Sequence, residues 1–506
     1  MSFEEHPRTK LINATTAVPK NYQHVLAFLF AVKELNDNPN ILPNVSLGFH
    51  ICDSYYNAKM TYMNTLNLLF NVKKIIPNYN CELKRNVMAV IGGLDSETSL
   101  HIANFLNIYK IPQITYSFFA PLMNDNVEFP FIYQMVPREA DQYRGLVQLF
   151  LHFQWTWVGI IAIEDEKGER FVQTFLPLLL KNGICAAFID WLPALKSTAD
   201  MIDLFYLSRS RENMTLFLTN INVQVYTVHA DTLTALLLKW FLYLTQMEDL
   251  TEMVMGKVWV MTMQWEFSFH LYYRNLDIDF FHGALSFTVN SCEVLEFENF
   301  LHDLNFQWPK GDGFIRVFWT QAFGCLLPDT ELDMFKAERC TGEEKLESLP
   351  GTFFEMSMTA QSYSIYNAVH ALGKALHAMN SARQNYKSVV ACGGSLEPHY
   401  QQPWQLQPFL RSISFNNSAG DTIYFNKKGE LATGFDIINW VTFPNKSFIR
   451  VKVGKMDPQA PPGTEFTINE KRITWPKKFN QIWTIVSHVQ DTSIQTGTEI
   501  SAFLKF

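Results

Sequence analysis

The amino-acid sequence predicts an α/β fold of doubly wound parallel sheets, spread over more than one domain. Three observations point there. Short apolar strands, polar turns and helices of three or four turns alternate along the chain, a rhythm that fits βαβ units better than a sandwich or a bundle. One stretch, 87–121, shows such a unit in full. The chain has 506 residues, more than a single ordinary core fills, so two or three domains are expected.

The stretch 87–121 reads VMAVIGGLDSETSLHIANFLNIYKIPQITYSFFAP. Residues 87–91 are apolar throughout, as a strand buried on both faces would be. Gly92-Gly93 allows a tight turn. Asp95, Ser96, Thr98 and Ser99 supply short side-chain oxygens for a helix start, with Ser96 predicted as the N-cap. Ser99 holds the position where a capping box needs Glu or Gln, so there is no full box. Leu100, Ala103, Phe105, Leu106 and Tyr109 recur at helical spacing. Pro112 stops that helix, and 113–116 is predicted as the next strand. In parallel sheets ligands collect at the carboxyl ends of strands, and the free N–H groups of a helix start favour an anion. Ser96 and its neighbouring amides are therefore a candidate site for a ligand carboxylate; an ordinary cap beside a tight turn is the alternative.

The other elements follow in order. The segment 21–36, NYQHVLAFLFAVKELN, is apolar around most of a helix and is predicted to be well buried. Asn38-Pro39 ends it. A strand is predicted at 45–51 and an amphipathic helix at 57–73, with Met60, Met63, Leu66, Leu69 and Phe70 on one side. Strands at 131–137 and 157–164 flank a helix at 139–153. Residues 166–169 are predicted as a turn into a helix at 171–180, and a strand follows at 185–189. Strands at 213–218 and 257–262 flank a helix at 233–245, and another strand covers 283–289. Composition changes over 304–342, rich in Phe, Trp, Gly and Asp. A helix returns at 362–379, then a loop at 389–403. The turn spacing of 415–435 predicts β-hairpins, continued by 435–443 and 447–454. The tail from 481 loses its Gly and Pro punctuation.

Composition bounds the function. Hydrophobic residues make up 48% and charged residues 18%, so a large core forms and disorder is not the default. The net charge is −8 from 41 basic and 49 acidic residues, with no basic block, which argues against a nucleic-acid partner. No apolar run approaches the roughly 18 residues of a membrane span; the nearest, 233–244, is broken by Lys239. The opening MSFEEHPRTK lacks the apolar stretch of a signal peptide. Five Asn-X-Ser/Thr sequons, at Asn13, Asn44, Asn213, Asn416 and Asn445, point the other way, towards an extracellular setting. The seven cysteines are an odd number with no CxxC pair, which in a secreted protein implies a free or intermolecular thiol.

Enzyme motifs are missing. There is no phosphate loop, HExxH, GxSxG or EF-hand sequence, so neither an enzymatic activity nor a cofactor is expected. His370 and His377 lie seven apart on one predicted helix without a carboxylate or thiol nearby in sequence, and are expected on the surface, with no metal. Asp165 and Glu166 follow a strand end and are predicted as a solvated turn.

Several segments together resemble family C G-protein-coupled receptors, most closely the vomeronasal type-2 receptors. They include PKNYQHVLAFLFAVKELN, IGGLDSETSLHIANFLNIYKIPQITY, HFQWTWVGIIAIEDEKGERF, GDGFIRVFWTQAFGC, CTGEEKLESLP, YSIYNAVHALGKALHAM, PWQLQPFLRSISFNNSAG and FDIINWVTFPNKSFIRVKVG. The match is colinear from about Pro19 to Asn480. It implies a bilobed Venus-flytrap module of the periplasmic-binding-protein type. Lobe 1 would comprise 1–136 and 289–411, lobe 2 would comprise 137–288 and 412–480, and 481–506 would be a divergent tail. A peptide, protein or amino-acid-like ligand would lie between the lobes, and dimers would form through lobe 1. G-protein coupling would need a seven-helix domain that this chain lacks, so the resemblance implies a truncated product. A soluble periplasmic-type binding protein is the alternative.

The resemblance also implies a set of site residues. Ser96 matches the family's carboxylate-binding serine, and Ser117 falls beside the ligand's α-amino acid group. Phe119 replaces a hydroxyl. Glu139 stands for an acidic residue near the lobe crossing. Lys167 takes a position that is aromatic in amino-acid sensors. Met263 replaces the acid that pairs with a ligand ammonium, which disfavours free glutamate or calcium as the ligand. Cys325 and Cys340 match a disulfide within one lobe, and Cys81 falls where relatives form a disulfide across the dimer, with a Cys52–Cys81 pair as the competing arrangement. Cys185 resembles the cysteine that pairs with a cysteine-rich linker. Asn44, Asn213, Asn416 and Asn445 are the expected glycosylation sites.

Overall fold

The structure, a computed structural model, describes residues 19–479 except 55–56, 70–86, 119–128, 196–222, 232–233, 235–236, 243–255, 264–278, 306–312, 328–338, 352, 391–401, 445–446 and 477–478. Phe119, Cys81, Cys392, Asn13, Asn213, Asn445, the strand expected at 213–218 and the tail 481–506 lie outside the described residues.

In chain order, α1 (Pro19–Asp37) and α2 (Ala58–Leu69) precede β1 (Val90–Ile91), α3 (Ser96–Ile108), β2 (Gln113–Thr115) and β3 (Ile132–Gln134). Next come α4 (Glu139–His152), β4 (Trp157–Glu164), α5 (Glu166–Lys181), β5 (Cys185–Pro193), β6 (Val225–His229), β7 (Val258–Met261) and β8 (Leu285–Val289). Helices α6 (Leu295–His302), α7 (Gly313–Phe323), α8 (Ala360–Val390) and α9 (Gln407–Arg411) follow. The chain then forms β9 (Ser414–Asn416), β10 (Thr422–Tyr424), β11 (Phe435–Thr442), β12 (Phe448–Met456) and β13 (Phe466–Ile468).

Two main sheets organise these elements into a two-lobed α/β fold, and β9 and β10 form a separate antiparallel pair. The smaller is parallel, in the order β1-β2-β3. Around it α1 packs along α8, and Leu26, Phe30, Trp319 and Tyr366 from α1, α7 and α8 share one buried cluster. The larger sheet has eight strands, in the order β13-β12-β11-β8-β7-β6-β4-β5. Strands β4 to β8 pair in parallel, and β11 to β13 add an antiparallel edge. Its strand β4 is buried at Val158, Ile160, Ile161, Ala162 and Ile163, and each of the buried Val and Ile side chains stabilises the fold by about 1.5–3 kcal/mol.

Several expectations are corrected. The segment 45–51 has no strand partner. The Asn36 side chain serves it instead, accepting from the Leu47 N–H at 2.7 Å and donating to the Leu47 carbonyl at 3.1 Å. Helix α5 begins at Glu166, not 171. Asp165 is its cap rather than part of a solvated turn, accepting from the N–H groups of Lys167 and Gly168 at 2.9 Å each. Gly168 then passes so close to β4 that a Cβ there would lie 1.8 Å from the Ile163 carbonyl oxygen. Helix α7 stands in the 304–342 region, where the sequence named no element, and α8 continues past 379 to Val390. His370 is buried at 3.5 Å from the Glu34 carboxylate, and His377 Nδ1 accepts from the Leu42 N–H. Both therefore serve packing, not the open surface predicted for them.

Cys325 and Cys340 form a disulfide. Its sequence separation of 15 corresponds to a stabilisation of about 3 kcal/mol in the chain-entropy picture. Cys52, Cys185 and Cys292 are free thiols among the described residues. Asn44 and Asn416 are exposed. No helix among the described residues is long and apolar enough to cross a membrane.

Candidate functional site

The site grows from the β1–α3 turn. Gly93 has φ +109°, a conformation open to glycine. A Cβ there would fall 1.8 Å from Ser99 Oγ, so this turn and Ser99 share one tight space. Helix α3 then starts at Ser96, but its cap is Asp95, not Ser96. Asp95 Oδ1 accepts from the Thr98 N–H at 2.9 Å and Oδ2 from the Thr98 hydroxyl at 2.6 Å. The helix start thus already carries a carboxylate from its own chain. Both Ser and Asp suit the cap position, and the signal for Asp95 was the threonine three residues on, whose hydroxyl and amide it holds together.

Beneath the turn lies a buried hydroxyl cluster. Ser99 Oγ is 3.0 Å from Thr115 Oγ1 and 3.2 Å from Ser117 Oγ. Thr115 donates to the Gly93 carbonyl, and Gln113 Nε2 to the Ser99 carbonyl. Ser117 is therefore part of an internal network joining β2 to α3.

On the facing side, β4 ends and α5 begins with Lys167. Its Nζ lies 3.9 Å from Asp95 Oδ1. Two helix starts, one beside each sheet, meet through this ion pair. Behind Lys167, His229 stacks on Phe171 with ring centroids 4.2 Å apart and lies 3.2 Å from the Thr262 hydroxyl. Burial, helped by Lys167 and Arg170, lowers the His229 imidazole to about 3. Burial raises the Asp231 carboxyl, and bonds from Thr234 only partly offset it.

The expected site residues are distributed as follows. Ser96 is half-buried beside Asp95, and its hydroxyl has no hydrogen bond among the described residues. The Lys167–Asp95 pair brings Lys167 to it. Ser117 lies one layer deeper. Glu139 is half-buried at the start of α4, and with burial it pushes the Tyr143 phenol up. Met263 is buried in the apolar core. Thr115, His229 and Asp231 join the arrangement without having been singled out, and Asp95 and Ser99, named in the sequence only as short oxygens at the helix start, are part of it.

A second set of contacts joins the two sides elsewhere. Glu355, between α7 and α8, forms an ion pair with Lys20 of α1 at 2.7 Å and accepts from Arg450 of β12 at 2.5 Å. Lys20 is 2% and Glu355 10% exposed. Next to them His24 is buried and held at about 3, first by burial and then by Lys20.

These two histidines give the domain a pH dependence with a defined sign. Their folded values lie below the ordinary 6.5, so the unfolded chain binds more protons between about 3 and 6.5. Stability is complete above pH 6.5 and is lost as pH falls through that window. Urea midpoints from pH 7.5 to 4.5 are expected to fall for the wild type and to fall less for His229→Gln; parallel curves would refute the assignment.

Comparison with known proteins places the chain in a family. The description "receptor family ligand binding region" matches residues 23–442. Vomeronasal type-2 receptor 26 of Mus musculus is 30% identical over 465 residues, 91% of this chain and 52% of that protein. The extracellular calcium-sensing receptor of Homo sapiens is 24% identical over 487 residues, 90% of this chain and 43% of its own. Taste receptor type 1 member 2 of Homo sapiens is 27% identical over 426 residues, 83% and 46% respectively. The chain spans about half the length of the curated relatives it matches. The chain belongs to the receptor family ligand binding region, of the family C kind found in vomeronasal type-2, calcium-sensing and taste receptors.

Proposed function

We propose that this chain is the extracellular ligand-binding part of a chemosensory family C receptor, and that its ligand lies between the two lobes. On this reading 1–136 and 289–411 form lobe 1, and 137–288 and 412–480 form lobe 2. Dimer formation through lobe 1 and signalling to a G protein would belong to the whole receptor.

The single observation that supports the cleft is the 3.9 Å approach of Lys167 to Asp95, which brings the starts of α3 and α5 together beside Ser96. The ligand class follows from charge. Asp95 already answers the positive end of α3, and Lys167 answers Asp95. Met263 offers no charge to a ligand ammonium, and an ammonium buried without a partner is costly. A free amino acid is therefore disfavoured, and a peptide or protein with a carboxylate for Lys167 and Ser96 is favoured.

Thermal shift of the purified chain against peptide and amino-acid panels tests this. A peptide that raises the melting temperature of the wild type should lose most of its effect in Ser96→Ala and in Lys167→Ala. An undiminished shift in both variants would remove the cleft from the binding site.

A further inference from the structure

Helices α4 and α5 lie side by side on the larger sheet, with the Phe150 and Phe175 rings 6.3 Å apart. Along α5, Leu180 lies about 20 Å from Lys167, so the finish of this helix is remote from the site at its start. At that remote end the described chain also leaves the fold. Phe479 is buried and packs on Trp475 and Trp155, with ring centroids 5.3 and 6.5 Å apart. Phe153 closes the corner, stacked on Trp155 at 4.8 Å and edge-on to Trp475 at 5.2 Å. The Trp155 backbone N–H donates to the Phe150 carbonyl at 2.8 Å, which fastens the corner to the last turn of α4.

Two features of this corner lack a counterpart. The first is polar. Trp155 is 7% exposed, and its indole Nε1 has no hydrogen-bond partner among the described residues. An indole N–H can only donate, and a buried donor without an acceptor is costly. The ring contacts cover the faces of the indole and leave that N–H unanswered. The second is apolar. Leu151 and Leu180, the penultimate residues of α4 and α5, are 41% and 59% exposed, beside a cluster in which Phe150, Trp155, Leu179 and Phe479 are buried.

The sequence that follows can supply both counterparts. Residues 480–486, outside the described residues, read NQIWTIV. Asn480 and Gln481 carry side-chain amide oxygens, and each residue of the segment brings a backbone carbonyl. Ile482, Trp483, Ile485 and Val486 are apolar. Such a segment, fully extended, spans at most about 25 Å, and neighbouring helices lie about 8–10 Å apart. It is long enough to run from Phe479 across both helix ends.

We propose that residues 480–486 lie back across the ends of α4 and α5, with an oxygen of this segment accepting from Trp155 Nε1 and its apolar side chains covering Leu151 and Leu180. The occupant is this chain rather than a second copy, because Phe479 holds the segment in the corner and so gives it a high effective concentration there. The segment is then a strap that completes the larger-sheet side at the end away from the ligand.

Hydrogen exchange of the full chain, read by mass spectrometry, tests the proposal. Amides of 480–486 should exchange at least tenfold more slowly than in a free peptide of the same sequence. Leu180→Asp puts a charge into the contact at an exposed position, so it should restore the free-peptide rate while β4 and β5 stay protected. Trp155→Phe keeps a ring and removes the donor, and should also speed exchange of 480–486. Free-peptide rates in the wild type would overturn the proposal, and so would slow exchange that both variants leave unchanged. Protection that fades on tenfold dilution of the protein would overturn it too, because it would assign the corner to a second copy.

Discussion

Replacing Glu355 by glutamine is expected to destabilise the protein by about 3–5 kcal/mol, the scale of breaking a buried ion pair from one side. The effect should appear as a lower urea midpoint at an unchanged slope. The cause is local. Lys20 is nearly inaccessible, Arg450 is 21% exposed, and both direct their charge at the same carboxylate oxygen. Glutamine keeps the shape and removes the charge, leaving two cations side by side with Lys239 buried nearby and itself held well below its usual range by burial and by Lys20. The double variant Lys20→Met/Glu355→Gln should recover part of the loss, because one of the two neighbouring cations is gone. If Glu355→Gln alone is neutral, Glu355 is not the counter-ion of this cluster.

The second large effect is expected at Gly93→Ala. Two costs combine there. A side chain at φ +109° is strained by about 1–3 kcal/mol. The added Cβ would also meet Ser99 Oγ at 1.8 Å and Ser99 Cβ at 2.8 Å. Ser99 cannot retreat, because it is fully buried and bonded to Thr115 and Ser117. Overpacking of that kind adds about 1–3 kcal/mol. The β1–α3 turn should shift, and ligand-induced thermal shifts should vanish with it. Gly93→Ala/Ser99→Gly removes the clash but not the strain, so it should regain about half. A single variant as stable as the wild type would show that the turn has room.

Much of the fold was legible because buried strands announce themselves. WVGIIAIE appears as β4 with the predicted bounds, and α4 ends one residue short of expectation. The βαβ unit at 87–116 was likewise visible, since Gly92-Gly93 and Pro112 punctuate it. The errors lie where a side chain substitutes for backbone. At 45–51 a strand was expected, but Asn36 bonds Leu47 in place of a neighbouring strand. At 166–169 the charged residues suggested a turn, but Asp165 capped a helix through them. The same competition decided the site. Ser96 was recognised as a short oxygen at a helix start; that Asp95 would take the capping role depended on Thr98 donating its N–H and its hydroxyl to the two Asp95 oxygens. Long-range partners left no trace at all. Nothing in the order of residues foretold that Lys167 would approach Asp95, or that Arg450 and Lys20 would share Glu355.

The pairing of Val289 with Phe435 fixes an order of events during synthesis. When β8 leaves the ribosome, its outer edge is a row of open N–H and C=O groups with no neighbour, a template for adhesion to other chains. Its proper neighbour is about 150 residues away, and at about 5–20 residues per second it arrives roughly 7–30 s later. For that interval the half-built sheet is sticky. Slower translation or a missing chaperone should therefore reduce yield through clumping of nascent chains, before any property of the finished protein comes into play.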